Sequence, residues 1–413
     1  MNYPSLTFIA YSLLVLTFSC NPAKETSATP TMAQEIDSLI TTFHAYGGFN
    51  GSVLVAHEGN VVFQKGYGPA HREWDIANAP DTKFRIASLT KPFTAMLTLQ
   101  LVAEGTLELH VPISGYLPEY PLPQGNQITL HHLLSHTSGL VRDLPQRDSL
   151  PKYPDRQRLP EVVGQFSQLP IQFPPGERFA YSNCGYSLLG YILETVTGQS
   201  YESLLQERIL DPLQMKDTGI DKHRPLIKKR AQGYFKSFGE YYHANYIDTS
   251  PITAVGNMYS TVEDLNKWAA ATRSTTLLPE AYWELILTKQ AEDVQYGGYY
   301  GYGWELLEKP VGTSERKVAT LGHSGATEGF CALYTYLPET KSAIILLSNH
   351  RRAYLNTLTT ALTGILYGEA YSFPKKPLAQ FMAQVIQKDG VEKGFGFTRP
   401  IKGIPITISM KPN

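Results

Sequence analysis

A serine and a lysine stand three positions apart where a long apolar helix is predicted to begin, in Phe84-Arg85-Ile86-Ala87-Ser88-Leu89-Thr90-Lys91-Pro92-Phe93-Thr94-Ala95-Met96. One helical turn spans about 3.6 residues, so Ser88 and Lys91 share a face and the amine can reach the hydroxyl. A serine is a weak nucleophile until a neighbouring group takes its proton, and a helix N-terminus favours negative charge near it. The pair therefore predicts nucleophilic catalysis by Ser88.

The same spacing recurs at Ser149/Lys152, Ser314/Lys317 and Ser372/Lys375. A proline lies between the two residues of the first and last pairs, so no regular helix aligns their side chains. Ser314 leads into a strand-like run instead of a helix. Of the four pairs, we therefore single out Ser88 and Lys91.

A second candidate segment is Tyr181-Ser182-Asn183, which follows a turn-like Pro-Pro-Gly-Glu run. A phenol held near a lysine ammonium has a lowered pKa, so Tyr181 is a candidate base and later acid. The amide of Asn183 is suited to hold a substrate carbonyl or Lys91. The alternative is structural, because Ser182 or Asn183 also suits the N-cap of a helix.

A third candidate segment is Gly322-His323-Ser324-Gly325-Ala326, just before two late strand-like runs. Small residues on a strand let a substrate backbone lie alongside it, and the N–H of Ala326 could face that of Ser88 as an oxyanion hole. A β-bulge or turn is the alternative. The segment lacks the last glycine of a Gly-x-Ser-x-Gly elbow, and no other serine matches that motif, which argues against an α/β-hydrolase.

Metal and redox chemistry find little support in the sequence. His132 and His136 are four apart, which predicts one helical face, but Leu133 stands where a zincin needs glutamate, so we interpret them as structural. Beyond the N-terminal segment only Cys184 and Cys331 remain, and there is no Cys-x-x-Cys pair. They form either one disulfide or two buried thiols. We expect neither a metal nor a cofactor.

The composition describes an ordinary globular protein. Of 413 residues, 42% are hydrophobic and 18% charged, and the formal net charge is -1. A chain of this length can bury a large core in two lobes, and its charge predicts no nucleic-acid partner.

The N-terminus, up to Cys20, is typical of a secretion signal. Its apolar run is too short and too early for a membrane span, and it ends in Thr17-Phe18-Ser19-Cys20, which resembles a bacterial lipoprotein signal. We expect export to the periplasm or cell envelope, with lipidation of Cys20 anchoring the protein to the membrane. A plain cleaved signal with an incidental cysteine is the alternative. Residues 21–32 are predicted to be a tether.

Hydrophobic periodicity predicts the main elements. Strands are predicted at 52–56, 61–64, 330–337 and 342–347, and helices at 33–45, 88–104, 131–136, 186–196 and from Thr261, where Ser260-Thr261-Val262-Glu263 resembles a capping box. Strands at both ends with helices between them predict an α+β fold (an α/β sandwich). Its antiparallel sheet is built from both chain ends and flanked by helices, with an inserted, mostly helical subdomain at about 86–305.

Ser-x-x-Lys, Tyr-x-Asn and His-x-Gly occur in the order typical of the serine β-lactamase and penicillin-binding-protein superfamily. The tyrosine in the second motif resembles the class C β-lactamase, D-alanyl-D-alanine carboxypeptidase and esterase branch. Two further segments resemble that branch, Leu133-Leu134-Ser135-His136-Thr137-Ser138-Gly139-Leu140 and Gly256-Asn257-Met258-Tyr259-Ser260-Thr261, the latter followed by Asp264-Leu265. The resemblance spans about 35–365 and implies the β-lactamase/transpeptidase-like fold.

The resemblance also implies roles. Ser88 would attack an acyl carbonyl and form an acyl-enzyme, while Lys91 and Tyr181 share the proton transfers. Asn183 would contact the substrate amide, and Ser88 and Ala326 would supply the oxyanion N–H groups. The remaining substrate-binding residues would be His323, contacting an acidic substrate end, with Ser324 and Gly325 beside it.

The sequence departs from most class C β-lactamases at His323, where those enzymes carry lysine. A largely neutral histidine holds a β-lactam carboxylate less firmly. We therefore expect a D-amino-acid peptidase, carboxypeptidase or esterase acting on a small-molecule or peptide substrate. The alternatives are a β-lactamase or a penicillin-binding sensor without turnover.

The predicted organisation is a signal at 1–20, the tether at 21–32, a hydrolase domain at 33–365 and a tail of unknown role at 366–413. Within the tail, 378–388 is helix-like.

Overall fold

An antiparallel sheet lies at the centre of the protein, and every strand pairing within it is antiparallel. The computed structural model describes residues 30–144, 157–237, 240–272, 274–294 and 297–376. The strands are β1 (Gly51–His57), β2 (Asn60–Tyr67), β3 (Pro69–His71), β4 (Ile76–Ala77), β5 (Phe84–Arg85), β6 (Gly219–Ile220), β7 (Tyr234–Ser237), β8 (Glu240–His243), β9 (Met258–Ser260), β10 (Ala291–Asp293), β11 (Gly298–Tyr300), β12 (Glu305–Pro310), β13 (Lys317–Thr327), β14 (Phe330–Leu337) and β15 (Ser342–Ser348).

The order of strands confirms that the sheet is assembled from both chain ends. It runs β10-β11-β12-β13-β14-β15-β1-β2, so the first strand lies beside the last. Val53 of β1 is opposite Leu346 of β15, and Leu333 of β14 is opposite the same leucine. These strands are buried along nearly their whole length because helices cover both of their faces.

The helices are α1 (Met32–Ala45), α2 (Lys91–Ala103), α3 (Gln124–Gln127), α4 (Leu130–Leu134), α5 (Leu159–Gly164), α6 (Asn183–Thr197), α7 (Tyr201–Leu205), α8 (Val262–Ala271), α9 (Glu280–Leu287) and α10 (Leu355–Leu366). Helices α1 and α10 pack on one face of the sheet. A second cluster of buried hydrophobic side chains lies between the other face of the sheet and helices α2 and α8. The mixed α+β architecture is the predicted one.

The apolar run of α1 follows the predicted spacing, with Ile36, Leu39, Ile40 and Phe43 buried. Helix α6 begins at Asn183, three residues before the predicted start.

The capping box predicted at Ser260 is wrong. The N-cap of α8 is Thr261, whose hydroxyl accepts from the backbone N–H of Asp264, so Glu263 is one position too early to close the box. The Asp264 carboxylate instead accepts from the backbone N–H of Asp217 and the hydroxyl of Thr218.

The region predicted to be mostly helical also contributes strands to the main sheet. β10 and β11 lie there, and β12 begins at its end. Their short lengths and mixed burial give little period-2 signal. The sheet therefore reaches further back along the chain than periodicity predicts.

None of the helices in the described ranges is long and apolar enough to cross a membrane. The predicted signal, the candidate lipidation site Cys20 and the helix-like 378–388 lie outside the described residues. The predicted domain boundaries stay predictions.

Candidate active site

Ser88 lies in a 3₁₀ turn, Ala87–Thr90, and α2 begins directly after it at Lys91. The predicted α-helix thus starts three residues late, and the serine precedes it. Ala87 has a φ of 49°, in the left-handed region that side chains seldom adopt. The turn is held by the hydroxyl of Thr90, which donates to the carbonyl of Ala87 at 2.8 Å. Such strained turns cluster at functional sites, where they present one side chain.

The amine of Lys91 is fully buried behind Ser88. Its Nζ lies 2.8 Å from Asn183 Oδ1, 3.1 Å from the carbonyl oxygen of Val255 and 3.2 Å from Ser88 Oγ. The first two partners are carbonyl oxygens, which only accept hydrogen bonds, so they take two N–H groups. In a neutral amine the remaining position is a lone pair, and it lies toward the serine hydroxyl. That arrangement suits Lys91 to accept the proton of Ser88.

Burial is the main reason that the pKa of Lys91 lies well below its ordinary value. The carboxylate of Asp143 raises this pKa and the guanidinium of Arg142 lowers it, both to a lesser extent than burial. A desolvated amine loses less by giving up its proton, so the neutral form needed for a base is favoured.

Asn183 is oriented by contacts at both ends of its amide. Its Nδ2 donates to Asp143 Oδ1 at 2.7 Å, while its Oδ1 accepts from Lys91. The adjacent Ser182 is the N-cap of α6, accepting from the N–H of Gly185. The N-cap interpretation is therefore confirmed for Ser182, and Asn183 makes the predicted contact with Lys91, while its functional role stays a prediction.

Tyr181 stands beside the lysine. The centre of its half-buried ring is 4.8 Å from Lys91 Nζ, and its side chain lines the same cavity as Ser88. The structure thus brings the predicted proton-handling pair together around the nucleophile.

His136 lies beside Tyr181, although the sequence analysis interpreted it as a structural residue on a helical face shared with His132. Its φ of 59° puts it outside α4, which ends at Leu134, so the predicted shared helical face with His132 is wrong. Its carbonyl accepts from the N–H of Ala180 at 2.8 Å, and its Nδ1 accepts from the N–H of Ser182 at 3.1 Å. Its buried ring lies 4.2 Å from that of Tyr181.

Because the backbone on both sides of Tyr181 is held by one histidine, His136 acts as a positioning residue for the phenol. Burial lowers the pKa of His136 well below its usual range, so the ring is neutral and can accept at Nδ1. The Tyr-x-Asn motif and the Ser-His-Thr-Ser-Gly segment are thus two halves of one site, a link that would have needed knowledge of the fold.

β13 carries the third motif in its second half. Among the described strands, β12 pairs with β13 only as far as Gly322, so the edge beyond it opens on the cavity. The N–H of Ser324 points to that edge, where it donates to Glu305 Oε1 at 3.2 Å. Alternate residues of a strand direct their N–H groups to the same side, so the N–H of Ala326 points there too. Ala326 is also exposed.

Gly325 lets the strand touch the nucleophile turn. A Cβ at this position would lie 2.0 Å from the carbonyl oxygen of Ile86 and 3.1 Å from the backbone nitrogen of Ser88. No side chain fits there, so glycine is required for this approach. The contact brings the backbone nitrogen of Ser88 beside the strand that carries Ala326. An oxyanion hole formed by the N–H groups of these two residues stays a prediction.

His323 has a different environment from the one expected of an anion-binding residue. It is buried, its Nε2 lies 2.9 Å from the hydroxyl of Tyr300, and its Nδ1 lies 2.6 Å from the carbonyl oxygen of Ser324. Nδ1 must carry the proton to bond a carbonyl, which leaves Nε2 to accept from the tyrosine. Burial lowers the pKa of His323, and no ring N–H is left for a substrate anion. Its contacts instead fix the strand.

The predicted site residues meet at a cavity of about 810 Å³, with Lys91 buried behind its wall. Its lining includes Ser88, Tyr181, Asn183, His323, Ser324, Gly325 and Ala326.

Metal-binding and disulfide interpretations can also be assessed. In the described ranges no group of His, Cys, Asp and Glu side chains is arranged to hold a metal ion. His132 accepts from the N–H of Thr129 at the start of α4, a structural contact. Cys184 and Cys331 are free, and burial raises their pKa values to about 12 and about 11. These are inert buried thiols.

Comparison with known proteins places this geometry in context. The family model described as Beta-lactamase matches residues 36–386. The chain is 30% identical over 366 residues to Protein flp of Staphylococcus aureus (strain MW2), covering 85% of this chain and 70% of that protein.

Solved structures share the fold. A penicillin binding protein from Bacillus halodurans superimposes with a TM-score of 0.68 at 28% identity, covering 78% of this chain and 98% of that one. The D-amino acid amidase from Ochrobactrum anthropi SV3, complexed with D-phenylalanine, gives a TM-score of 0.70 at 26% identity over 82% of this chain and 99% of that one.

Proposed function

This chain belongs to the beta-lactamase family of serine hydrolases, and we propose that it hydrolyses amides, peptides or esters of D-amino acids through an acyl-enzyme on Ser88. The observation that carries the proposal is the set of three oxygen atoms around the amine of Lys91. Two carbonyl oxygens hold its amine while the third direction meets Ser88 Oγ at 3.2 Å.

In the acylation step, Ser88 Oγ bonds to the substrate carbonyl carbon and its proton passes to Lys91, with Tyr181 beside it. The carbonyl oxygen becomes an oxyanion facing the N–H groups of Ser88 and Ala326. The bond to the leaving amine or alcohol then breaks, and that group takes a proton from the Lys91–Tyr181 pair. Water repeats the sequence on the ester and releases the acid.

The substrate class is supported by the surroundings of the third motif. His323 is neutral with both ring nitrogens engaged, so it holds no carboxylate. A β-lactam or a C-terminal carboxylate finds no charged partner in it. The similar D-amino acid amidase acts, by its name, on an amide of a D-amino acid, which is the kind of acyl donor proposed here.

A second candidate is a penicillin-binding protein that acylates without fast deacylation. The similarity to the Bacillus halodurans penicillin binding protein favours it. The two candidates share the acyl-enzyme and differ only in the rate at which water releases it.

One experiment tests the proposal and separates the candidates. Purified wild type and Ser88→Ala are incubated with a chromogenic D-amino-acid ester, a D-amino-acid amide and a fluorescent penicillin. We expect ester or amide turnover in the wild type and none in Ser88→Ala, with unchanged circular dichroism. Ser314→Ala is the matched control, because Ser314 has the same spacing to Lys317 but lies in a turn before β13. Turnover retained by Ser88→Ala would contradict the proposal, and stable labelling without turnover would favour the sensor.

Export and anchoring through a lipid on Cys20 are also part of the proposal, supported by the N-terminal sequence alone. Fractionation of cells expressing the full chain and Cys20→Ala tests this. We expect the wild type in the membrane fraction and the variant released from it. Equal distribution of the two would contradict anchoring.

A further inference from the structure

Glu305 places a carboxylate directly against the third motif. It is the first residue of β12 and lies opposite Gly322 in the sheet. Its Oε1 accepts from the backbone N–H of Ser324 at 3.2 Å and from the Ser324 hydroxyl at 3.0 Å. Only 12% of its side chain is exposed, and it lines the cavity that contains Ser88.

We infer that Glu305 selects substrates by charge, favouring acyl donors with an ammonium or uncharged polar group along β13 and rejecting those with a free carboxylate there. The inference rests on the proposed function and narrows its substrate class to D-amino-acid amides, D-amino-acid esters or peptides with a free amino terminus. A carboxypeptidase or efficient β-lactamase would need the opposite preference.

Within the described residues, the charge of Glu305 has no ion-pair partner among lysines and arginines. His323 Nδ1 is 3.8 Å away, but it donates to the carbonyl of Ser324 and the ring is neutral. Lys309, on the same strand, directs its Nζ to the hydroxyl of Thr335 at 3.5 Å. Glu305 therefore places beside the motif a carboxylate that no lysine or arginine of the described residues neutralises by an ion pair, although it interacts electrostatically with Lys309.

Partial burial makes this charge effective. A carboxylate shielded from water interacts with a substrate charge through a lower effective dielectric and less salt screening than a surface group does. A substrate anion against the strand would lose its hydration and gain repulsion. An ammonium there would gain attraction.

The cavity also contains cations, but they are placed differently. Arg142 is more than half exposed, lies 3.5 Å from Asp143 and stands over the ring of Tyr181. Arg351 is exposed as well. Solvent screens both, so neither offsets Glu305 at the strand edge.

Two sets of thioesters test the inference, with thiol release followed by a colorimetric disulfide reagent. In the first, N-acetyl-D-alanine is esterified to thioglycolate, thioglycolamide or thiocholine, so the leaving group is anionic, neutral or cationic. In the second, thioglycolamide is fixed and the acyl part is N-succinyl-D-alanyl, N-acetyl-D-alanyl or D-alanyl. Each kcat/KM is divided by that of the neutral member for the same protein.

Glu305→Gln keeps a side-chain oxygen that can accept from Ser324 while removing the charge. We expect wild type to disfavour the anion in at least one set, and the Gln variant to raise the anion-to-neutral ratio about tenfold. Glu328→Gln is the matched control, because Glu328 is an exposed carboxylate that lines the same cavity. We expect it to change the ratio much less.

The inference is overturned if wild type prefers the anion in both sets, if Glu305→Gln leaves both ratios unchanged, or if Glu328→Gln raises them equally. Those results leave the proposed function intact as long as Ser88→Ala abolishes thiol release. If wild type releases no thiol and forms no adduct on Ser88, the proposed function fails and the charge selection fails with it.

Discussion

The two faces of the main sheet are packed in different ways. On the face covered by α1 and α10, the buried cluster is mainly apolar, with Ile40, Leu346 and Leu362 fully inaccessible. The face toward α2 also has a large apolar core, but α2 itself buries Lys91, Thr94 and Thr98 completely. Helix α10 also buries two threonines, so the two faces differ in the buried amine of Lys91 and in the polar seam that it forms with Thr94 and Thr98.

The polar seam is kept because every member finds a partner. Thr94 donates to the carbonyl of Ala254 and accepts from the hydroxyl of Tyr201, and Lys91 has the contacts described above. Burying polar groups costs free energy even when they are bonded, so such a seam adds little stability. The difference teaches that both faces contribute apolar burial to stability, whereas the residues predicted to do the chemistry lie on the α2 face.

The largest effect is expected at the amine. In Lys91→Met the hydrocarbon remains and the base is lost, so kcat/KM for ester hydrolysis should fall by about 10²–10⁴-fold, the range for general-base catalysis. The melting temperature should change little, because removal of a buried amine offsets the loss of its hydrogen bonds to Asn183 and Val255. Lys309→Met is the control, since burial lowers the pKa of Lys309 too. Activity retained in Lys91→Met, or lost equally in Lys309→Met, would break the comparison.

On the opposite face, Leu346→Ala should cost about 2–5 kcal/mol of unfolding free energy, measured by urea denaturation, because it opens a cavity in the apolar core. The kcat of the folded enzyme should be close to that of the wild type. Leu346→Met, which conserves volume, should cost less than about 1.5 kcal/mol. A large kcat change without loss of stability would show that the two faces are not separate in function.

The smallest effect is expected from the two charged residues beside Lys91, through the pKa of its amine. The Asp143 carboxylate raises the pKa of Lys91 and the Arg142 guanidinium lowers it. Asp143→Asn should therefore move the acid limb of the kcat/KM profile to lower pH, and Arg142→Gln should move it to higher pH. Both shifts should shrink at high salt because these side chains are partly exposed. Shifts of the same sign would show that Lys91 does not control this limb.

The sequence was sufficient where local pattern and burial agree. The amphipathic spacing around Ile36 and Phe43 predicted α1, and the apolar runs 330–337 and 342–347 predicted the two central strands. The three motifs were predicted as one site, and the structure brings Ser88, Lys91 and Tyr181 together. Their chemical roles stay predictions.

The remaining features depend on tertiary contacts. Nothing in the residues around His136 indicates its positive φ or the hydrogen bonds that it accepts from Ala180 and Ser182, because those two residues lie on another segment. The ring of His323 is buried and its Nε2 is engaged by Tyr300, while Glu305 places a carboxylate against the third motif. Neither residue belongs to a motif, and both come from strands too short to give a periodic signal.

The contact of Gly325 with the turn at Ile86 and Ser88 joins segments from the first and last parts of the described chain. Loop-closure entropy must be overcome before such non-local segments meet, so the predicted oxyanion hole should form late in refolding. Catalytic activity is therefore a reporter of completed folding. In a refolding experiment it should return no earlier than the fluorescence and secondary-structure signals.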